Sequence, residues 1–170
     1  MGMEQHHITI VGLGPGALEL ISLQTLDAMR GAKAVILRTA RHPAAEDLAR
    51  YDIRFTACDD LYETHGTFEA VYAAVVARVL TAVEREGAVV YAVPGDPMAA
   101  ERTVQMLLAA ADKRPELTVT VLPALGVLNL ATQRMGLDPG DGLCIADARD
   151  PYLRPTGEAP EPDDQPAYHG

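Results

Sequence analysis

The sequence has no tryptophan, few aromatic residues and no apolar run long enough to cross a membrane. Its two cysteines, Cys58 and Cys144, are too few for a disulfide framework, so we expect both to be free thiols. With aromatic residues at 5%, the chain lacks the stacking surfaces of proteins that bind single-stranded nucleic acid. The N-terminus has no apolar segment typical of a signal peptide, which favours a cytoplasmic protein.

Basic residues are also scarce, because 14 lysines and arginines stand against 24 aspartates and glutamates, a formal net charge of −10. Such a charge disfavours binding to duplex nucleic acid, whose phosphates need a basic surface, and to an anionic membrane. The five histidines and two cysteines do not have the spacing of a zinc motif, so we expect no metal site.

Apolar residues make up 48% of the 170, enough for the core of one domain. Strand-like apolar runs alternate with stretches of helical periodicity. This alternation predicts an α/β fold of three αβα layers, with a mostly parallel sheet of about five strands. We expect strands at residues 8–11, 34–37, 53–55, 88–93 and 117–122, and a short edge strand at 143–146. We expect helices at 23–30, 43–50, 68–86, 97–111 and 127–135, with Gly31 just beyond the first as its C-terminal cap.

The composition changes after Asp150, where prolines alternate with acidic residues and apolar periodicity ends. Such a stretch is typical of a linker or a loosely held tail. We therefore expect residues 1–150 to form the α/β domain and residues 151–170 a proline- and acid-rich tail. We also expect the chain to be part of a longer protein.

Two glycine-rich turns follow predicted strands. The first reads Gly12-Leu13-Gly14-Pro15-Gly16, and the second reads Pro94-Gly95-Asp96-Pro97. The carboxyl ends of parallel strands lie at the same rim of a sheet, and open α/β sheets bind their ligands there. The sequence therefore predicts a small-molecule site where the two turns meet. Asp96 also suits the cap of a following helix, with Pro97 as its first residue.

The two turns, together with Arg38-Thr39-Ala40-Arg41-His42-Pro43 between them, resemble the tetrapyrrole methylase family of S-adenosylmethionine-dependent methyltransferases. The likeness covers roughly residues 6–148. Within the family, the closer resemblance is to the methylase-like domain fused to MazG-type nucleoside triphosphate pyrophosphohydrolases. It implies a cofactor held in a cleft between two α/β domains, a small-molecule methyl acceptor and a homodimer. The cofactor contacts that it implies are Gly12, Gly14, Pro15, Gly16, Gly95, Asp96, Ala99, Ala124, Gly126, Val127 and Ala146.

Arg38 and His42 follow the second predicted strand, so we take them as candidate contacts of an anionic substrate, with solvated charges as the alternative. No general base is evident among His42, His65 and Tyr91. The acidic run from Asp59 to Glu63 suggests magnesium, although a solvated loop is the simpler interpretation.

Three departures from the family pattern keep a second hypothesis open. Ala17 replaces an aspartate, Leu125-Gly126 replace a small hydroxyl residue, and the second methylase domain is missing. The alternative is a non-catalytic module that docks to, or regulates, a nucleoside triphosphate pyrophosphohydrolase. A nicotinamide-dependent reductase is a remoter alternative, because Leu37 and Arg38 stand where a dinucleotide fingerprint needs an acidic residue.

Overall fold

The computed structural model describes residues 5–145, which form a five-stranded parallel sheet with helices on both faces. The strands are β1 (His6–Gly12), β2 (Val35–Leu37), β3 (Thr56–Ala57), β4 (Ala88–Val93) and β5 (Leu117–Val121). Their order across the sheet is β3-β2-β4-β1-β5, and every adjacent pair is parallel. The expected α/β class with about five parallel strands is confirmed.

Five of the six α-helices in residues 5–145 lie in the crossovers between strands, and the sixth follows the last strand. They are α1 (Leu23–Gly31), α2 (Pro43–Asp47), α3 (Asp59–Thr64), α4 (Phe68–Glu86), α5 (Arg102–Ala111) and α6 (Val127–Met135). The bounds of α4 are those predicted, because local signals set both ends. The Thr67 side chain accepts the Ala70 N–H at the start, and Gly87 ends the helix at φ 77°.

The core has two parts, one on each face of the sheet. Alternate side chains of β1 and β4, such as Ile8 and Tyr91, pack with α4 and α5 on one face. Their neighbours, such as Val11 and Ala92, pack on the other face with Leu26 of α1. The central strands are therefore buried on both sides, which explains their nearly continuous apolar sequence.

Two elements differ in the structure from the bounds that the sequence predicted. The prediction of a strand at 53–55 was wrong, since β3 comprises only Thr56 and Ala57. Residue Ile53 instead completes the preceding turn, where its N–H donates to the Leu48 carbonyl after Asp52 takes φ 58°. The short helix expected at 43–50 divides into α2 and a 3₁₀ turn over Leu48–Tyr51.

The helix expected from Pro97 begins five residues later, at Arg102. The Asp96 Oδ1 atom accepts the Met98 N–H at 2.8 Å, and the Asp96 carbonyl accepts the Ala99 N–H at 3.0 Å. Ala100 then has φ 57°, a left-handed conformation that ends this turn before a helix can form. Asp96 caps a separate turn and not the helix.

Three smaller expectations are corrected. Gly31 is the last residue of α1 and Ala32 is its cap. The acidic run from Asp59 belongs to α3 and is not a loop. Residues 143–145 form no strand, and the rest of that predicted strand lies outside the described residues. Within residues 5–145, no helix combines the length and the apolar character needed to span a bilayer.

Candidate functional site

The two glycine-rich turns meet at the carboxyl rim of the sheet. Gly14 and Gly95 form an isolated antiparallel bridge, in which the Gly95 N–H donates to the Gly14 carbonyl at 2.9 Å. Gly14 has φ 70° and Gly95 has φ 66°, conformations that residues with a Cβ rarely adopt. The sequence of both turns is therefore required for the backbone path that joins them.

Close backbone packing continues around this bridge. A Cβ added at Gly12 would overlap the Gly95 carbonyl oxygen and would lie 2.9 Å from Cδ of Pro97 and 2.5 Å from Cβ of Ala124. A Cβ at Gly126 would lie 3.1 Å from Cβ of Asp96. The end of β1 and the loops after β4 and β5 thus pack closely where Gly12 and Gly126 have no side chains.

His42 connects the loop after β2 to the same bridge. Its Nε2 lies 3.0 Å from the Gly14 carbonyl, and its Nδ1 accepts the Ala44 N–H at 3.3 Å. Because the carbonyl can only accept and the amide can only donate, the ring is the neutral tautomer protonated at Nε2. Burial lowers the pKa of His42 from its usual 6.5, although the bond to Gly14 opposes this shift.

These loops enclose an open cleft of about 350 Å³, which we call the carboxyl-rim cleft. Seven of its nine lining residues were candidate site residues from the sequence, and Pro43 and Pro94 complete the set. The seven are Gly14, Pro15, His42, Gly95, Asp96, Ala99 and Val127. The volume is within the range of small-molecule pockets, at its lower end.

The other candidates lie elsewhere. Gly12, Ala124 and Gly126 do not line the cleft. Gly12 packs against Gly95 and Ala124, and Gly126 packs against Asp96. Gly16 is half-buried and does not line the cleft. Ala146 lies outside the described residues.

Among the described residues that line this cleft, Asp96 supplies the only carboxylate. Its Oδ1 is used by the Met98 N–H, while Oδ2 accepts no hydrogen bond from residues 5–145. One oxygen is therefore available to a hydroxyl or amino group in the cleft. The remaining lining is largely apolar, with Pro15, Pro43, Pro94 and Val127.

Arg38 does not line the cleft. Its Nε lies 3.2 Å from Oε2 of Glu101, without the alignment of a hydrogen bond, and its Nη1 donates to the Tyr62 hydroxyl at 3.3 Å. Glu101 is buried, with 7% of its side chain exposed. The guanidinium therefore neutralises a buried carboxylate. The substrate role expected for Arg38 from the sequence stays a prediction.

Sequence reasoning missed the network to which Glu101 belongs. Its Oε1 accepts the Thr103 hydroxyl at 2.8 Å, and Thr103 Oγ1 in turn lies 2.9 Å from the Tyr91 hydroxyl. Burial strongly raises the pKa of Tyr91, so its hydroxyl stays protonated and is a poor base. No local signal identifies these partners, because three separate elements bring them together.

Helix α3 uses its acidic residues for structure. Arg78 donates to both carboxylate oxygens of Asp60, at 2.7 and 2.6 Å. Although burial alone would raise the pKa of Asp59, hydrogen bonds from the Ala40 N–H and the Thr39 hydroxyl, with the Arg41 charge, leave it below its usual value. Among the described residues, no group of three His, Cys, Asp or Glu side chains is placed to hold a metal ion.

An exposed apolar surface adjoins the cleft. Helix α6 has no buried residue, and Val127 at its start, which is 67% exposed, also lines the cleft. We define the α6 surface as Leu125, Val127, Leu128, Met135, Leu137, Leu143 and Ile145, all exposed. A concentration of exposed apolar residues in one segment is typical of a region that another structure covers.

A comparison with known families identifies the class of protein. The model of the tetrapyrrole (corrin/porphyrin) methylases matches residues 7–167, so the chain belongs to that family. It has the fold of these S-adenosylmethionine-dependent methyltransferases, and members of the family use S-adenosylmethionine.

Particular relatives agree with this assignment. The chain is 36% identical over 141 residues to the uncharacterized protein YabN of Bacillus subtilis, a match that covers 83% of this chain and 28% of YabN. The crystal structure of the methyltransferase CobJ has a TM-score of 0.61 at 21% identity, and the match covers 88% of this chain and 59% of CobJ.

A uroporphyrin-III C-methyltransferase from Thermus thermophilus, solved with S-adenosyl homocysteine, has a TM-score of 0.53 at 20% identity. That match covers 74% of this chain and 47% of the enzyme. The chain therefore spans about half the length of the solved relatives and 28% of the length of YabN.

Proposed function

We propose that this chain supplies one wall of the S-adenosylmethionine site of a methyltransferase, and that the cofactor lies in the carboxyl-rim cleft. The observation that carries the proposal is the bridge between Gly14 and Gly95, which joins both glycine-rich turns beside a cleft. Family membership supports the choice of cofactor.

The residues of the cleft fit this cofactor. Pro15, Pro43 and Val127 offer apolar surface to a flat adenine ring. The free Oδ2 of Asp96 can accept a hydrogen bond from a ribose hydroxyl or an amino group, and its charge favours a cationic ligand. The absence of side chains at Gly14 and Gly95 lets the ligand approach the backbone closely.

When bound, the cofactor supplies an electrophilic methyl group on a positively charged sulfur. The chain's own contribution is to bind and orient the cofactor and to exclude water from one side. Holding two reactants in alignment contributes on the order of 7–11 kcal/mol to catalysis. Since no side chain of the cleft is placed as a strong base, we expect positioning to dominate.

A cofactor cleft formed by one domain requires a second domain to cover it. The α6 surface adjoins the cleft and is where we expect that second domain to pack. The matches cover only 59% of CobJ and 47% of the uroporphyrin-III C-methyltransferase, and the uncovered remainder of both relatives supports a covering domain. We infer that this domain follows in the same polypeptide. We also propose that the intact protein includes a MazG-type pyrophosphohydrolase, since the motif resemblance and the much greater length of YabN both favour further domains.

The methyl acceptor is a small molecule whose structure these residues do not define. A homodimer is the proposed assembly, and sedimentation equilibrium of the protein tests it: a monomer at every concentration would contradict it. The exposed apolar residues of the α6 surface could also be buried between two subunits, and this is the support that the α6 surface gives to the dimer.

Titration of the isotope-labelled 170-residue chain with S-adenosyl homocysteine, followed by NMR, tests the proposed cofactor site. We expect shifts of the Gly14, Gly95 and Asp96 amides, and we expect Asp96→Asn to weaken binding. The matched control is Asp112→Asn, at an exposed carboxylate beyond α5, which should bind like the parent chain. Absence of shifts at millimolar ligand, or equal effects of both variants, would overturn the proposal.

A further inference from the structure

A second cleft lies away from the carboxyl-rim cleft, at the amino ends of β2 and β3 and along the last turns of α4. Its volume is about 670 Å³. Four of the chain's 14 lysines and arginines line it, together with a single acidic residue, Glu86. We call this the basic cleft. Such a concentration of positive charge is unexpected in a chain of net charge −10.

Two of the four cations are fixed by carboxylates. Arg78 makes its bidentate pair with Asp60 and also donates to the Ala57 carbonyl at 3.1 Å. Arg85 donates from Nε to Glu86 at 2.7 Å, which leaves its two terminal amino groups outside that bond. These contacts hold both guanidinium groups in place around the cleft.

The other two cations, Lys33 and Arg54, are exposed and form no ion pair within residues 5–145. They precede β2 and β3, which are parallel neighbours in the sheet, so both lie at the rim formed by the amino ends of these strands. Phosphate groups are the ligands that such exposed, unneutralised Lys and Arg side chains prefer.

The rest of the lining is not charged. Val35, Ile36 and Ala82 are buried and give the cleft an apolar floor, and Phe55 is a half-buried aromatic residue within it. A planar aromatic group stacks favourably on such a ring. The hydroxyls of Thr56 and Thr81 add hydrogen-bonding groups to the lining.

We propose that the basic cleft binds a nucleoside polyphosphate, with its phosphates between Lys33 and Arg54 and its base against Phe55. The volume suits a molecule of this size, because small-molecule pockets range from about 300 to 1,000 Å³. This site is separate from the carboxyl-rim cleft and shares no lining residue with it.

Calorimetric titration of the full 170-residue chain with ATP tests the proposal, in the presence of saturating S-adenosyl homocysteine to occupy any adenosine site at the other rim. We expect one ATP per chain, and we expect Lys33→Glu and Arg54→Glu each to weaken it about tenfold. Lys113→Glu makes the same change of charge at an exposed residue outside the cleft and should leave binding unchanged.

Inorganic tripolyphosphate distinguishes phosphate binding from nucleotide binding. We expect it to bind more weakly than ATP, and we expect Phe55→Ala to weaken ATP without affecting tripolyphosphate. Absence of ATP binding, loss of binding when S-adenosyl homocysteine is present, or equal weakening by Lys113→Glu would overturn the site. Equal affinity for tripolyphosphate and ATP would contradict the role of Phe55. None of these outcomes depends on whether the cofactor proposal holds.

Discussion

Nε2 of His42 lies 3.0 Å from the carbonyl oxygen of Gly14, and the same oxygen accepts the Gly95 N–H at 2.9 Å. A single backbone oxygen therefore connects the loops after β1, β2 and β4. The sequence placed His42 among the substrate contacts. We predict a positioning role for His42, because both ring nitrogens are already used within the protein.

Removal of the His42 ring should weaken cofactor binding and stability together. His42→Ala leaves the Ala44 N–H without its acceptor, and loss of such a partner costs about 1–3 kcal/mol. His42→Gln places an amide donor where Nε2 stood and should recover most of the affinity for S-adenosyl homocysteine. Chemical denaturation and ligand titration of both variants measure these effects. Equal loss in both would contradict the bond to Gly14.

The same ring predicts how stability depends on pH. Burial lowers the pKa of His42 in the folded state below 6.5, so the unfolded chain takes up a proton first as the pH falls. The contribution of His42 is therefore fully present above pH 6.5, and it is lost progressively as the pH falls towards the folded pKa. Urea denaturation between pH 8 and 5 should show this loss in the parent chain and not in His42→Gln. If the free energy of unfolding of the two proteins changed in parallel with pH, the predicted contribution of His42 would be refuted.

Gly12 and Gly16 offer a matched pair of substitutions. Gly12→Ala forces a methyl group into the Gly95 carbonyl and Ala124, and overpacking of this kind costs about 1–3 kcal/mol. Gly16→Ala meets only Cδ1 of Leu20, at an ordinary 3.8 Å. Thermal unfolding should thus separate the two variants clearly. Equal melting temperatures would show that the loops do not pack as described.

Substitution of Glu101, the buried carboxylate of its ion pair, should lower the stability of the fold. Glu101→Ala leaves the Arg38 guanidinium and the Thr103 hydroxyl without their buried partner, and breaking a buried pair costs about 3–5 kcal/mol. Glu101→Gln keeps the shape and a hydrogen-bond acceptor, so it should lose less. Asp112→Ala, at an exposed carboxylate, is the control and should be nearly neutral. Denaturant midpoints measure all three, and a neutral Glu101→Ala would exclude the network.

Local signals explain which elements could be predicted from the sequence. The Thr67 cap, the apolar periodicity and Gly87 lie within or beside α4, and they defined it fully. Strand β3 has only two residues, too few for a pattern. Helix α3 carries acidic residues whose partners, Arg78 and Thr39, are distant in sequence, so no local pattern predicts these hydrogen bonds.

The site divides in the same way. Glycine-rich turns after apolar strands are local patterns, and the rule that parallel strands end at one rim places them together. The pairing of Arg38 with Glu101 depends instead on the meeting of the residue that follows β2 with the residue that precedes α5. No sequence pattern marks that contact, because the two residues are far apart in the chain. The anion-binding role expected for Arg38 stays a prediction.

The central claim is that the two glycine-rich turns form a cleft that holds the cofactor. Isotope-filtered NOE measurements on the chain with S-adenosyl homocysteine test it most directly. We predict contacts from the ligand's adenosine protons to the methyl groups of Ala99 and Val127, which both line the cleft. Contacts confined to methyl groups of α5 such as Ala109, or to the basic cleft, would contradict the account.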